Sequence, residues 1–264
     1  MMAGKQKEIL AACSNGSTAT LEALFQELNI TSDHPRTPYD IDQEIPNKQR
    51  PVSVQEMFIA AIENQQIEII SILCTKFPKP RLQGTPLREA IRTENADVLR
   101  AVCQTDPESV ASQELGDDDT INALGYAASR GNGALLVKVL LDAGADPNVP
   151  PPFLMPSCWN VSAAVVAGLP KSTFEQFFDA GFRSNDPHAA RLAVENKRMD
   201  VLEVLFTRSK GIANAYFPPE EELLKAANEG KDEEMAATIK RLYAAHHASP
   251  KKGLLGSLVS KFRS

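Results

Sequence analysis

Short apolar stripes at helical spacing recur along this chain in couples, with a brief polar break inside each couple and a longer one between couples. Ile9, Leu10, Ala12 and Cys13 form one stripe, and Leu21, Leu24, Phe25 and Leu28 form the next, with Gly16 in the turn. Met57, Phe58, Ala61 and Ile62 precede Ile67, Ile70 and Leu73 in the same way. The alternation returns in 85–103, 121–148, 160–181, 187–206 and 219–243. The pattern predicts an all-α chain of paired helices.

The clearest couple is 121–148. Its first helix carries Ala127 and Ala128, and Gly131 is expected to end it. Its second helix places Leu135, Leu136, Val139 and Leu140 on one face and closes at Gly144, after which Pro147 blocks continuation. A pair this small cannot bury its own apolar face and needs copies on either side. A small residue of the first helix marks each copy, at Ala12, Ala61, Ala90, Ala127, Ala164, Ala193 and Ala226, with gaps from 29 to 49 residues.

The copy at 84–103 reads Gly84-Thr85-Pro86-Leu87-Arg88-Glu89-Ala90, then Asp97-Val98-Leu99-Arg100-Ala101-Val102. Thr85 is placed to cap the helix and Pro86 suits its first turn. The stretch resembles the ankyrin repeat, whose signature is T-P-L-H-x-A. Thr85, Pro86, Leu87 and Ala90 match it, and Arg88 stands where the signature has His. Leu140 to Asn148 is similar to the ending of the ankyrin second helix, and Asp179-Ala180-Gly181 echoes Asp142-Ala143-Gly144. Outside 84–103 and 121–148 the resemblance rests on pattern and period.

The resemblance implies an ankyrin-repeat-like helical solenoid of six to seven pairs over 1–248. It further implies a non-catalytic module, monomeric, that holds another protein along a concave face built from first helices and hairpin loops. The residues there that are least like core are Arg88, Glu89, Arg92, Tyr126, Phe153, Met155 and Trp159, with Asp117–Asp119 as a rim. Divergent ankyrin-like proteins also occur in fungal clusters for secondary metabolites. An accessory protein that binds a small molecule or an enzyme is therefore a second expectation. It would show an apolar pocket near Trp159 or the Phe174–Phe178 cluster.

Three linkers interrupt the array. Thr31 to Ser53 carries Pro35, Pro38, Pro46 and Pro51 and no helical period, which predicts an extended loop. Gln104 to Thr120 is acidic and reads as a solvated hairpin tip. Val149 to Asn160 sets three prolines before Phe153, Leu154, Met155 and the chain's one tryptophan. A stiff segment of that kind presents side chains at little ordering cost. Aligned on Ala164, Trp159 falls where Thr85 falls, so Phe153, Met155 and Trp159 are expected to form an exposed apolar tip.

Composition narrows the function. The net charge of −6 argues against general nucleic-acid binding, which needs a basic face. Residues 1–8 lack the apolar core expected of a signal peptide, no run reaches the length of a membrane span, and four cysteines without close pairing suit a reduced intracellular compartment. No C-x-x-C spacing, Walker loop, G-x-S-x-G or H-E-x-x-H occurs, so neither metal, cofactor nor catalytic constellation is expected. In the tail, 249–264, Leu254, Leu255, Leu258, Val259 and Phe262 share a stripe flanked by Lys251, Lys252, Lys261 and Arg263. That composition allows a weak membrane-surface helix, a third reading of the chain as a scaffold tethered through its tail.

Overall fold

The computed structural model describes residues 2–46, 49–116 and 120–247. Asp117–Asp119 and the tail at 249–264, to which the sequence assigned an acidic rim and a membrane contact, lie outside the described residues. Among the described residues seven helix pairs follow one another. They are α1 (Met2–Asn15) with α2 (Thr18–Glu27), α3 (Val54–Glu63) with α4 (Ile67–Lys76), and α5 (Thr85–Arg92) with α6 (Ala96–Thr105). After a short α7 (Pro107–Ser112) come α8 (Ala123–Ala128) with α9 (Gly133–Asp142), and α10 (Asn160–Val166) with α11 (Lys171–Asp179). The last two are α12 (Ala189–Glu195) with α13 (Met199–Arg208), and α14 (Glu220–Glu229) with α15 (Glu233–His247).

The first helices touch one another in chain order, and so do the second helices. Two helical layers result, with one continuous core between them that runs from Ile9 to Tyr243. Ala12, Ala61, Ala90, Ala127, Ala164 and Ala193 are all buried in it, which keeps neighbouring first helices close.

The turn inside each pair explains the spacing of these alanines. The amide of the residue five places on donates back to the alanine carbonyl, as Ser17 does to Ala12 (3.0 Å), Gln66 to Ala61 (2.8 Å), Leu169 to Ala164 (3.1 Å) and Arg198 to Ala193 (2.7 Å). This is a Schellman ending, and it requires a left-handed residue four places after the alanine. Gly16, Gln65, Glu94, Gly168, Lys197 and Lys231 fill that place. The side-chain-bearing ones cost about 1–2 kcal/mol each. Burial of a neighbouring Ile or Leu contributes about 1.5–3 kcal/mol and outweighs that strain.

The same rule moves one residue. Asp232 donates to Ala227 (3.0 Å), and Ala227, not Ala226, is buried in the last pair. The fourth pair departs from the rule, because Gly131 is not left-handed. The glycine that matters there is Gly133, where a Cβ would stand 2.6 Å from the Ala128 carbonyl oxygen. Gly144 (φ 93°) and Gly181 (φ 92°) close their second helices as expected, with Ala145 donating to Leu140 and Phe182 to Phe177.

Other expectations need correction. Ile67 and Leu135 are 39% and 44% exposed, since each sits in the opening turn of its second helix. Thr85 is the first helical residue and not the cap; Gly84, at φ 78°, precedes it. The stretch Gln104 to Thr120 is not simply solvated. It contains α7, with Ser109, Val110 and Leu115 buried and the Asp106 carboxylate accepting from the Leu82 amide at 2.6 Å. Phe174 and Phe177 are fully buried core.

One buried acid joins two pairs. The Asp186 carboxylate accepts from the Ser162 amide (2.8 Å) and hydroxyl (2.8 Å), and from the amides of His188 (3.0 Å) and Ala189 (3.2 Å). It thereby satisfies the amino ends of both α10 and α12. Burial raises its carboxyl above the ordinary value, and these hydrogen bonds pull the other way. Asp186→Ala should cost roughly 2–4 kcal/mol in urea unfolding, because two helix ends lose their acceptor together. A loss under about 1 kcal/mol would mean that the two ends are satisfied otherwise.

The cysteines give a second check. Cys13 and Cys103 are buried free thiols, and desolvation pushes both up to about 12 from 9.0. The unfolded chain then releases these protons near pH 9 while the fold retains them, so stability falls as pH rises from about 9 toward 12. The thermal midpoint should drop across that window, and a Cys13→Ala, Cys103→Ala chain should show a shallower drop.

Candidate binding surface

The exposed side of the first helices gathers several of the residues singled out by sequence. On α5, Arg92 is exposed while Arg88 and Glu89 are half-buried. The Arg92 guanidinium donates to Glu89 within its own helix and to Glu63 of α3 at 3.3 Å. The Glu89 hydrogen bond holds Arg92 even further above its ordinary value, and the Glu63 carboxylate and Tyr126 phenol add in the same direction. Bridges this exposed are screened by water and fix geometry more than stability.

Tyr126 of α8 is half-buried, and the Arg130 guanidinium lies over its ring at 4.4 Å. Arg92, Glu89 and Tyr126 therefore form one polar and aromatic patch across the neighbouring helices α3, α5 and α8. Glu63 and Arg130 belong to it and were missed. Glu63 was findable, since it follows Ala61 by two places as Arg92 follows Ala90.

The loop between α9 and α10 forms a second patch. Its root is held from two pairs. The Asn122 side-chain amide, at the start of α8, donates to the carbonyls of Val149 (3.1 Å) and Pro150 (3.0 Å). The Asn160 amide, at the start of α10, donates to Pro147 and Val149, each at 3.3 Å. Beyond this root Phe153, Leu154 and Met155 are 56%, 69% and 51% exposed. A 3₁₀ turn, Pro156–Cys158, brings the chain back against α8, where the Cys158 carbonyl lies 3.3 Å from where a Gly125 Cβ would stand.

Trp159 is placed differently from Phe153 and Met155. It occupies the position before α10, half-buried, with its indole Nε1 shielded from water and without an acceptor among the described residues. The exposed tip is thus Phe153–Leu154–Met155, and Trp159 stands at its base. Leu154 was not singled out because a lone leucine in a loop carries no signal of exposure. Among the described residues no group of three or more His, Cys, Asp or Glu is placed to hold a metal ion. No described helix is long and apolar enough to cross a membrane.

No protein-family model matches the chain, and no curated protein does. Solved structures do match. An ankyrin repeat protein from Leishmania major has a TM-score of 0.53 against this chain, covering 89% of it and 82% of that protein, at 13% identity. At that identity the likeness carries the fold alone.

The placement of the only indole can be checked by fluorescence. Trp159 emission should be blue-shifted from that of free indole and only partly accessible to acrylamide. Trp159→Ala should cost about 1–3 kcal/mol, below the 3–5 typical of a fully buried Trp. Leu154→Ala should stay within about 0.5 kcal/mol. A fully quenchable, red-shifted emission would put Trp159 outside with the tip.

Proposed function

Given this ankyrin-like repeat fold, we propose that the chain is a non-catalytic binding module that holds another protein on its first-helix side. The observation that supports this most is the tip. Three consecutive large apolar residues are more than half exposed, in a loop whose root is tied down by four side-chain hydrogen bonds. Isolated exposed apolar residues are ordinary, but a contiguous preorganised set is a mark of an interface. Phe153, Leu154 and Met155 act as the anchor and Trp159 supports it from below. Arg88, Glu89, Arg92 and Tyr126, with Arg130, supply a polar rim one to two pairs away. The partner is a protein with an apolar recess flanked by charges of both signs.

Quantitative affinity capture tests this, using the intact chain beside Leu154→Asp/Met155→Asp and Arg92→Glu variants that keep the parental circular dichroism. A true partner should fall at least tenfold with the tip variant and severalfold with the rim variant, and should re-form the complex from purified components. Equal recovery of every captured protein by all three chains would remove the tip and rim from the interface.

A further inference from the structure

A cavity at the first pair lies apart from the tip and the rim. It measures about 450 Å³ and lies between the start of α1, the end of α2 and the loop 31–53. Its apolar walls are Ile9, Leu28, Ile30, Ile45, Pro51 and Val52, and the His34 imidazole is the one aromatic ring among the described lining residues. Volumes of this order hold small ligands.

The loop that closes it is built rather than slack. The His34 Nε2 lies 2.6 Å from the Val52 carbonyl oxygen and joins the loop's two legs. The amides of Val54 and Gln55 donate to Pro35 (2.9 Å) and Arg36 (2.8 Å). The Thr37 amide donates to the Asp40 carboxylate at 2.8 Å, and Ile41 is buried. A connection of this length needs none of these ties merely to link two pairs, and together they hold the cavity's outer wall in place.

Besides His34, the polar groups among the described lining residues are those of Lys5, Gln6, Asn29 and Gln49, at the mouth. Asn29 and Gln49 are exposed there, and Gln6 is half-buried. Among the described lining residues the one ammonium, that of Lys5, already meets Glu8 at 3.1 Å and Glu27 at 3.0 Å. One cation between two carboxylates leaves these described residues with no net positive charge to offer an anion. The His34 Nε2 is also taken, by the Val52 carbonyl. Amide groups that can both donate and accept remain.

We propose that this cavity binds a small uncharged aliphatic molecule with a single hydrogen-bonding head, the chain among the isoleucines and the head at Asn29, Gln49 and Gln6. The wall chemistry sets the tail, since six of the lining residues are aliphatic and the one aromatic ring among them, that of His34, is held by Val52 and lies against Phe77. The charge balance around Lys5 sets the head. This goes beyond the protein-binding reading and uses none of the same residues.

The test titrates the full chain with 1-octanol and with octanoate, following isoleucine and valine methyl resonances. Octanol should bind saturably at one site below its solubility limit and shift the methyls of Ile9, Ile30, Ile45 and Val52. Octanoate should bind at least tenfold more weakly. Ile45→Trp, in the loop, and Leu28→Trp, half-buried at the end of α2, should each fill the space and abolish binding; either one that keeps the parental melting curve suffices. The Leu154→Asp/Met155→Asp variant should bind octanol unchanged, so loss of the protein partner and loss of this site are read separately. Absence of saturation, octanoate binding as tight as octanol, or undiminished binding in the folded filled variants would each overturn the proposal.

Discussion

A helix pair of about ten residues per helix has more apolar surface than it can hide, and everything else in this chain follows from that shortage. Each pair buries its face only against its neighbours, so the core is continuous along the array and has no boundary at which one pair could stand alone. The condition for stacking is close approach of the first helices. An alanine at the end of each one meets it, and the tight turn that follows sends the second helix back over the same core. The turn is strained where Gln65, Glu94, Lys197 or Lys231 occupies it, and the burial on either side is large enough to hold it.

Much of this was legible in the order of residues, because the signals are local. Thr85-Pro86-Leu87 and Asp142-Ala143-Gly144 specify a helix start and a helix stop within a few positions, and periodicity supplies the rest. What was not legible is what only neighbours decide. Ala226 and Ala227 are adjacent and equally small, and only the hydrogen bond from Asp232 tells which one faces in. Helix α7 sits in an acidic stretch whose charges suggest solvent. Its one local signal was Pro107 after Asp106, an arrangement that also fits a loop.

The candidate surface was legible to a similar depth. Arg92 and Glu89 are hydrogen-bonded within α5, and Tyr126 lies on the neighbouring first helix α8, because the repeat period places successive first helices side by side. Trp159 separates from Phe153 and Met155 for a tertiary reason. The 3₁₀ turn at Pro156–Cys158 carries the chain back to α8 before the tryptophan is reached. The cavity under loop 31–53 could not be foreseen at all, since its walls come from three segments whose meeting depends on where a proline-rich connection returns.

The root of the apolar tip has a mechanical meaning. Asn122 grips it from the start of α8 and Asn160 from the start of α10, so its position is defined by two pairs at once and by neither alone. Any change in the angle between the fourth and fifth pairs must shift one grip relative to the other, and the tip, lying beyond both, moves farther than either. The loop is thus a pointer mounted across a joint. A partner seated on Phe153–Met155 would brace that joint, and the bending of the array at this point would in turn set how well the partner fits.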